Sequence, residues 1–314
     1  MKRFKNILFV ADAELNTSDA YKRAVTLAEF NHAQLTIVSV LNDLPIDSGE
    51  EIQGVSMAGL REALIDKQQL QLDAMVLSAK KKIAVSSKVL TGIDFLTLIH
   101  EVLINKIDLL IKTVDEEGMM DKLFTSSDMH LLRKCPCPVW LIKSSANKHY
   151  KKIMAAVDFN PFDNNAQIDS LNRQILQMST ALAQSDVSEL HIIHVWYAYG
   201  ESRMRSGLAY QPKAFVDAYV EQTHARHKEI LDKLVADIDK RKTTIHLVKG
   251  LAKDMIPKMV NEQQIDLVIM GTVGRTGIPG FVIGNTSETI LNRIDCSVLA
   301  VKPEGFISPV SSNE

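Results

Sequence analysis

The sequence predicts an α/β protein made of two tandem doubly wound domains, each a five-stranded parallel sheet with helices on both faces. Three observations predict it. Short, continuous apolar runs alternate along the chain with longer segments whose apolar residues recur at helical spacing. The runs lack polar alternation, as parallel strands buried on both faces should. The second half of the chain also repeats the first. Lys5-Asn-Ile-Leu-Phe-Val-Ala-Asp12 matches Lys151-Lys-Ile-Met-Ala-Ala-Val-Asp158, and Leu35-Thr-Ile-Val-Ser-Val40 matches Leu190-His-Ile-Ile-His-Val195. Leu90-Thr-Gly92 matches Val248-Lys-Gly250, and Ile107-Asp-Leu-Leu-Ile111 matches Ile265-Asp-Leu-Val-Ile269. Cys137-Pro-Val-Trp-Leu-Ile-Lys143 matches Cys296-Ser-Val-Leu-Ala-Val-Lys302. The order is kept throughout, so both halves share one fold.

Each half reads as five strands alternating with four helices. Helices are expected near 17–32, 55–82, 94–105 and 127–134, then near 166–185, 213–240, 251–263 and 286–294. Right-handed crossovers between parallel strands give the doubly wound arrangement. The domains are drawn at 1–146 and 147–304, with a linker near Ser144 to Tyr150 and a tail at 305–314. The last strands, Val139 to Lys143 and Val298 to Lys302, would be exposed apolar edges unless they cover one another, so they are expected to pair as the seam of an intrachain pseudo-dimer.

Composition bounds the function. The chain has 314 residues, 46% hydrophobic and 24% charged, with a net charge of -2. That suits about two globular domains. Neither half carries the basic excess of a nucleic-acid binder. No apolar stretch approaches a membrane span. The run up to Val10 is too short for a signal-peptide core and is closed by Asp12. Three cysteines, Cys135, Cys137 and Cys296, fit a reducing cytoplasm.

The stretch Gly271 to Glu288, GTVGRTGIPGFVIGNTSE, carries the chemistry. It follows the apolar run Ile265 to Met270 and precedes a segment in which Ile290, Leu291 and Ile294 recur at helical spacing. The order strand, glycine loop, helix brings backbone N–H groups close to a ligand and adds the positive end of a helix, an arrangement suited to phosphate. Asn285 is expected as the N-cap, with Glu288 completing a capping-box-like pair. The glycines are spaced Gly271, two residues, Gly274, nine residues, Gly284, then Asn285-Thr286. This is neither a Walker A loop nor a Rossmann fingerprint. Glycines serving turns in a surface loop are the alternative reading.

The spacing resembles the phosphate loop of the universal stress protein family, G-x2-G-x9-G-[S/T], with Asn285 where the family has Ser or Thr and Thr286 one place later. Two such domains in tandem are similar to the family's E type, as is Phe124-Thr-Ser-Ser-Asp-Met-His-Leu-Leu-Arg-Lys-Cys-Pro-Cys-Pro138. The resemblance implies a flavodoxin-like (adenine nucleotide alpha hydrolase-like) fold, a cytoplasmic place, a stress-response role tied in this type to survival of DNA damage, and ATP as ligand. By the same resemblance, Asp158 faces the adenosine end, Val195 meets adenine through its backbone, Met270 at the end of the strand before the loop belongs to the nucleotide-binding residues, and Gly271, Gly274, Gly284, Asn285 and Thr286 hold the phosphates. Arg275, beside Gly274, adds a cation for phosphate, with a solvated loop arginine as the alternative. Magnesium could accompany the nucleotide. Protein partners are unnamed by the sequence, and a homodimer of the chain is left open.

The first half lacks this apparatus. Thr113 stands at Gly271, Glu116 at Gly274 and Thr125 at Gly284, while Asp115, Glu116 and Glu117 would oppose phosphate. Cys135-Pro-Cys137 has no partner pair for zinc and reads as a turn into the last strand. His224 and His227 read as solvated helix residues, and His191 and His194 point to opposite strand faces. Lys80-Lys-Lys82 reads as a helix end, where cations suit the dipole. No Ser/His/Asp arrangement or paired carboxylates emerge, so no catalytic residue is assigned. Three classes follow: an adenine-nucleotide-binding stress protein, a slow ATP hydrolase or nucleotidyl transferase on the same site, and a nucleotide-free scaffold working through partners.

Overall fold

The computed structural model describes residues 4–11, 19–42, 57–80, 82–114, 123–144, 146, 149–163, 166–207, 209–272 and 284–311. In chain order its elements are β1 (Asn6–Val10), α1 (Asp19–Asn31), β2 (Gln34–Leu41), α2 (Met57–Ala79), β3 (Val85–Thr91), α3 (Asp94–Ile104), β4 (Leu109–Val114), α4 (Ser126–Lys134) and β5 (Val139–Lys143). The repeat follows as β6 (Lys152–Ala156), α5 (Ala166–Asp186), β7 (Glu189–Trp196), α6 (Glu201–Ser206), α7 (Lys213–Leu234), β8 (Thr243–Lys249), α8 (Ala252–Gln263), β9 (Leu267–Gly271), α9 (Asn285–Leu291) and β10 (Ser297–Val301). The described residues form two compact units. One holds those up to His149, Thr272 and those from Asp295 onward; the other holds Tyr150 to Gly271 and Gly284 to Ile294.

In the first unit the strands run β3-β2-β1-β4-β5, all parallel, with β10 antiparallel against β5. Val298 faces Leu141, Leu299 faces Trp140 and Ala300 faces Val139. The last strands therefore pair, and β5 has no bare edge. In the second unit the order is β9-β6-β7-β8, again parallel. Within the doubly wound class, the order 3-2-1-4-5 is of the Rossmann kind rather than the flavodoxin 2-1-3-4-5. Residues 7–10 of β1 and 109–111 of β4 are buried without a break, so both sheet faces are covered. On one side Tyr21 of α1 donates to the Met75 carbonyl of α2 at 2.6 Å.

The repeated residues hold repeated joints. The Asp108 carboxylate accepts the backbone N–H of Lys5 at 2.7 Å and of Asn6 at 3.3 Å. Its counterpart Asp266 accepts those of Lys151 at 2.7 Å and Lys152 at 2.8 Å. Each ties the start of a central strand to its neighbour. Gly92 and Gly250 end β3 and β8 at φ +132° and +152°. A Cβ there would lie 2.8 Å from Thr97 Oγ1 or 2.7 Å from Met255 Cγ, so only glycine turns the chain at those points.

Three local expectations change. A short helix, α6, was not foreseen; Gly200 enters it at φ 78° and Glu201 pairs with Arg205 at 3.0 Å. α7 ends at Leu234, ahead of the expected end at 240, because a short 3-10 turn at Lys240–Lys242 leads into β8. His227 is buried at 7% exposure and not solvated, because it lies on the inward stripe Val216, Thr223, His227, Leu231 of α7.

Asp128, fully buried, gathers several polar partners in the first unit. It accepts from Thr125 N–H at 2.9 Å, from Thr125 Oγ1 at 2.8 Å and from Lys112 Nζ at 2.9 Å, and Thr125 Oγ1 in turn accepts from its N–H. Asp128→Ala should cost about 3 kcal/mol, because it strands a half-buried ammonium and removes a helix cap. Urea unfolding monitored in the first unit measures it, and Asp128→Asn, which keeps the cap, should cost less.

His191 and His246 stack with Nδ1 and Nε2 3.0 Å apart. Burial, then the charge of Lys152, lowers the His191 pKa against the pull of Glu189. Burial, then His191, lowers that of His246. Since the folded values lie below the ordinary imidazole value, the unfolded chain binds protons first as pH falls. Their contribution is complete above about pH 6.5 and fades below it. Thermal midpoints from pH 8 to pH 5 should fall, and His246→Phe should flatten the fall.

Candidate functional site

The strand order of the second unit reverses between β6 and β9, whose ends lie side by side with Ala156 opposite Met270. At such a reversal the following connections leave in opposite directions and open a crevice beyond the carboxyl ends. Asp158 stands two residues past β6, its side chain exposed. Asn172 of α5 fixes it: its Nδ2 donates to the Asp158 carbonyl at 2.8 Å and its Oδ1 accepts the Asp158 N–H at 3.1 Å. The half-buried Val195 is the penultimate residue of β7. Met270 is buried and Gly271, half-buried, ends β9. A Cβ on Gly271 would lie 2.8 Å from Leu171 Cδ2, so a larger residue there would make the Leu171 side chain move.

The Ser287 hydroxyl donates to the Gly271 carbonyl at 3.3 Å, which sets the start of α9 on the end of β9. The cap differs from expectation. Gly284, not Asn285, is the N-cap, at φ -60° and ψ 136° with no side-chain cap bond, and Asn285 is the first helical residue. Asn285 and Thr286 are exposed there. The structure thus gathers Asp158, Val195, Met270, Gly271, Gly284, Asn285 and Thr286 at one end of one unit. Gly274 and Arg275 lie outside the described residues, as do Asp12 and Asp115 to Glu117.

The first half fills the corresponding place with its own charges. Lys112 corresponds to Met270 by strand register, since Val10 faces Lys112 as Ala156 faces Met270. Asp128 occupies the helix position of Ser287, and Thr125 that of Gly284. The helix start that is bare of side-chain caps in α9 is, in α4, closed by the Thr125–Asp128 box and its bond to Lys112.

Behind the site lies an aromatic and imidazole stack that sequence reading missed. The Val157 carbonyl can only accept, so His194 Nδ1–H donates to it at 3.2 Å. His194 Nε2 then accepts from His227 Nδ1–H at 2.8 Å. Phe159 stacks on His194 with centroids 3.7 Å apart. The signal was present in the spacing Val216, Thr223, His227, Leu231, a single helix face. Asn172 had no such signal, because its partners are backbone atoms. Among the described residues no group of three metal-ligating side chains occurs.

Asn172→Leu should release the Asp158 backbone. The loss of two part-buried hydrogen bonds should cost about 2 kcal/mol. Amide exchange at Asp158 should accelerate, read by hydrogen-exchange mass spectrometry, while exchange across β1 and β4 is unchanged.

Comparison with known proteins agrees with the repeat. The model of the universal stress protein family matches this chain twice, over residues 3–143 and 149–302. The chain is 29% identical over 315 residues to a universal stress protein E homolog of Haemophilus influenzae, across 96% of this chain and 98% of that one. It is 26% identical over 324 residues to universal stress protein E of Salmonella typhi, across 100% and 99%. A crystal structure of a functionally unknown protein from Pseudomonas aeruginosa PAO1 superposes with a TM-score of 0.69 at 23% identity, across 97% and 95%. With its model matched once in each half and nearly the whole length covered, the chain belongs to the universal stress protein family.

Proposed function

We propose that this chain is a stress-response protein that binds ATP or a related adenine nucleotide once, in the crevice beyond β6, β7 and β9. The observation that carries the reading is the contrast between the two strand-loop-helix units. Where the first half has the Lys112–Asp128 pair and the Thr125 cap, the second has Met270, Ser287 and Gly284, which bring no carboxylate. A triphosphate is repelled by a close carboxylate unless a metal intervenes. In this reading Asp158 lies towards the ribose, and Val195 and Met270 offer backbone to the base. Gly271, Gly284, Asn285 and Thr286 take the phosphates with Gly274 and Arg275. Magnesium would be held chiefly by the phosphates. In this reading the nucleotide is held rather than turned over. Slow hydrolysis or nucleotidyl transfer, and a scaffold empty of nucleotide, are the other outcomes of the test.

Family membership supports a stress role; survival of DNA damage and a cytoplasmic place rest on the resemblance to the E type and belong to the same proposal. Among the described residues no helix is long and apolar enough to cross a membrane.

Calorimetric titration of the intact chain with ATP, in magnesium and in a chelator, should give one site. Gly284→Trp should abolish it, at least 100-fold in Kd, with an unchanged thermal midpoint. Its φ of -60° is open to any residue, so the indole fills ligand space without straining the backbone. Two sites, or unaltered affinity in Gly284→Trp, would overturn the assignment. Phosphate release that depends on Asp158 would favour the hydrolase, and absence of binding the scaffold.

A further inference from the structure

In the first unit, the turn between α4 and β5 places two thiols against each other beside a buried ammonium. Cys135 is the C-cap of α4 and wholly buried; Cys137 is 6% exposed. Their sulfurs are 3.5 Å apart. Lys302, 4% exposed just past the end of β10, donates from Nζ to the Leu132 carbonyl, to the Thr272 hydroxyl at 2.8 Å and to the Arg133 carbonyl at 3.4 Å. Its cation therefore caps the carboxyl end of α4, where unpaired carbonyls gather. That helix end alone would oppose a thiolate at Cys135, and the Lys302 charge acts in the other direction.

We propose that Cys135 and Cys137 form a reactive dithiol that closes to an intramolecular disulfide with a hydroperoxide, Lys302 being the positioning cation. Pairing of the sulfurs sets their roles. Burial opposes ionisation of Cys135, but the bond donated by the Cys137 thiol, that from its backbone N–H and the Lys302 charge outweigh it, so its pKa is lowered. Burial, and the donation of its proton to Cys135, raise that of Cys137 well above the ordinary thiol value. Burial lowers Lys302 to about 8 while both sulfurs pull it back up. A low and a high thiol in contact is the pattern of an attacking and a resolving cysteine.

The chemistry balances. Cys135 sulfur attacks one peroxide oxygen, the O–O bond breaks, and the departing oxygen takes the proton given up by the thiol and leaves as alcohol or water. The product is a sulfenic acid at Cys135. Cys137 sulfur then attacks the Cys135 sulfur, and the hydroxyl leaves with the Cys137 proton as water. The two thiols lose two electrons and the hydroperoxide gains them. Closure requires the sulfurs to approach by about 1.5 Å. Burial admits only a small oxidant.

The test uses the full chain treated with hydrogen peroxide and followed by intact-mass and peptide mass spectrometry. Cys296, 3% exposed, serves as internal control. The expected result is loss of two hydrogen atoms, a Cys135–Cys137 disulfide, and reaction at least ten times faster than at Cys296, with the far-UV spectrum native. Cys137→Ser should accumulate a sulfenic acid at Cys135 that dimedone traps. Lys302→Met should slow the reaction severalfold near neutral pH and move its pH midpoint upward, since a raised thiol pKa lowers the thiolate fraction. Equal rates at Cys135 and Cys296 would overturn the proposal. So would trapping at Cys137 in Cys135→Ser, a pair that reacts only once the chain is unfolded, or a native Lys302→Met with an unmoved pH profile. The wild-type rates decide the matter even where a variant fails to fold. Nucleotide binding takes no part in it.

Discussion

Burial of short parallel strands on both faces is the constraint on which everything else depends. Residues 7–10 of β1, 109–111 of β4, 139–142 of β5 and 267–270 of β9 are buried without alternation, and all of β10 is buried. Such strands offer no solvated face, so polar chemistry is pushed to their ends. At the amino ends the chain spends carboxylates on structure, Asp108 and Asp266 binding backbone N–H groups of the next strand. At the carboxyl ends of the second unit the strand order reverses between β6 and β9, the place where sheets of this class receive ligands.

The two halves dress one scaffold differently at this place. In the first, Asp128 satisfies a helix start, a threonine hydroxyl and a lysine at once, which closes the site with the chain's own charge. In the second, the same positions are Gly284, Met270 and Ser287, and the Ser287 hydroxyl ties helix to strand. A buried ion pair is costly to desolvate and costly to break, so a half that carries one is committed to it. The second half carries no such pair at the matching positions.

Buried polar groups elsewhere follow the same logic. His194 and His227 satisfy each other and the Val157 carbonyl behind the site, and Lys302 satisfies the end of α4 and Thr272. In each case a side chain from one element meets backbone or side-chain atoms of another, which fixes the packing as well as meeting the requirement for partners.

Much of this was legible in the sequence. The repeat and the unbroken apolar runs determined the α/β class, the ten strands and the identity of the residues at their ends, because two-sided burial leaves a compositional mark. The repeated Asp108/Asp266 and Gly92/Gly250 were visible as matches, although their joints were not. The rest depended on contacts between distant segments. Neither the Asn172 bond to Asp158 nor the meeting of His194 with His227 is written in local spacing alone, and the Lys112–Asp128 pair joins a strand to a helix across an intervening loop. The cap at Gly284 rather than Asn285 was decided by where Ser287 reaches Gly271. Cys135 and Cys137 read as a turn until folding brought Lys302, far away in sequence, to the end of α4. Periodicity records which face of an element is buried; only the tertiary structure decides which atoms that face will meet.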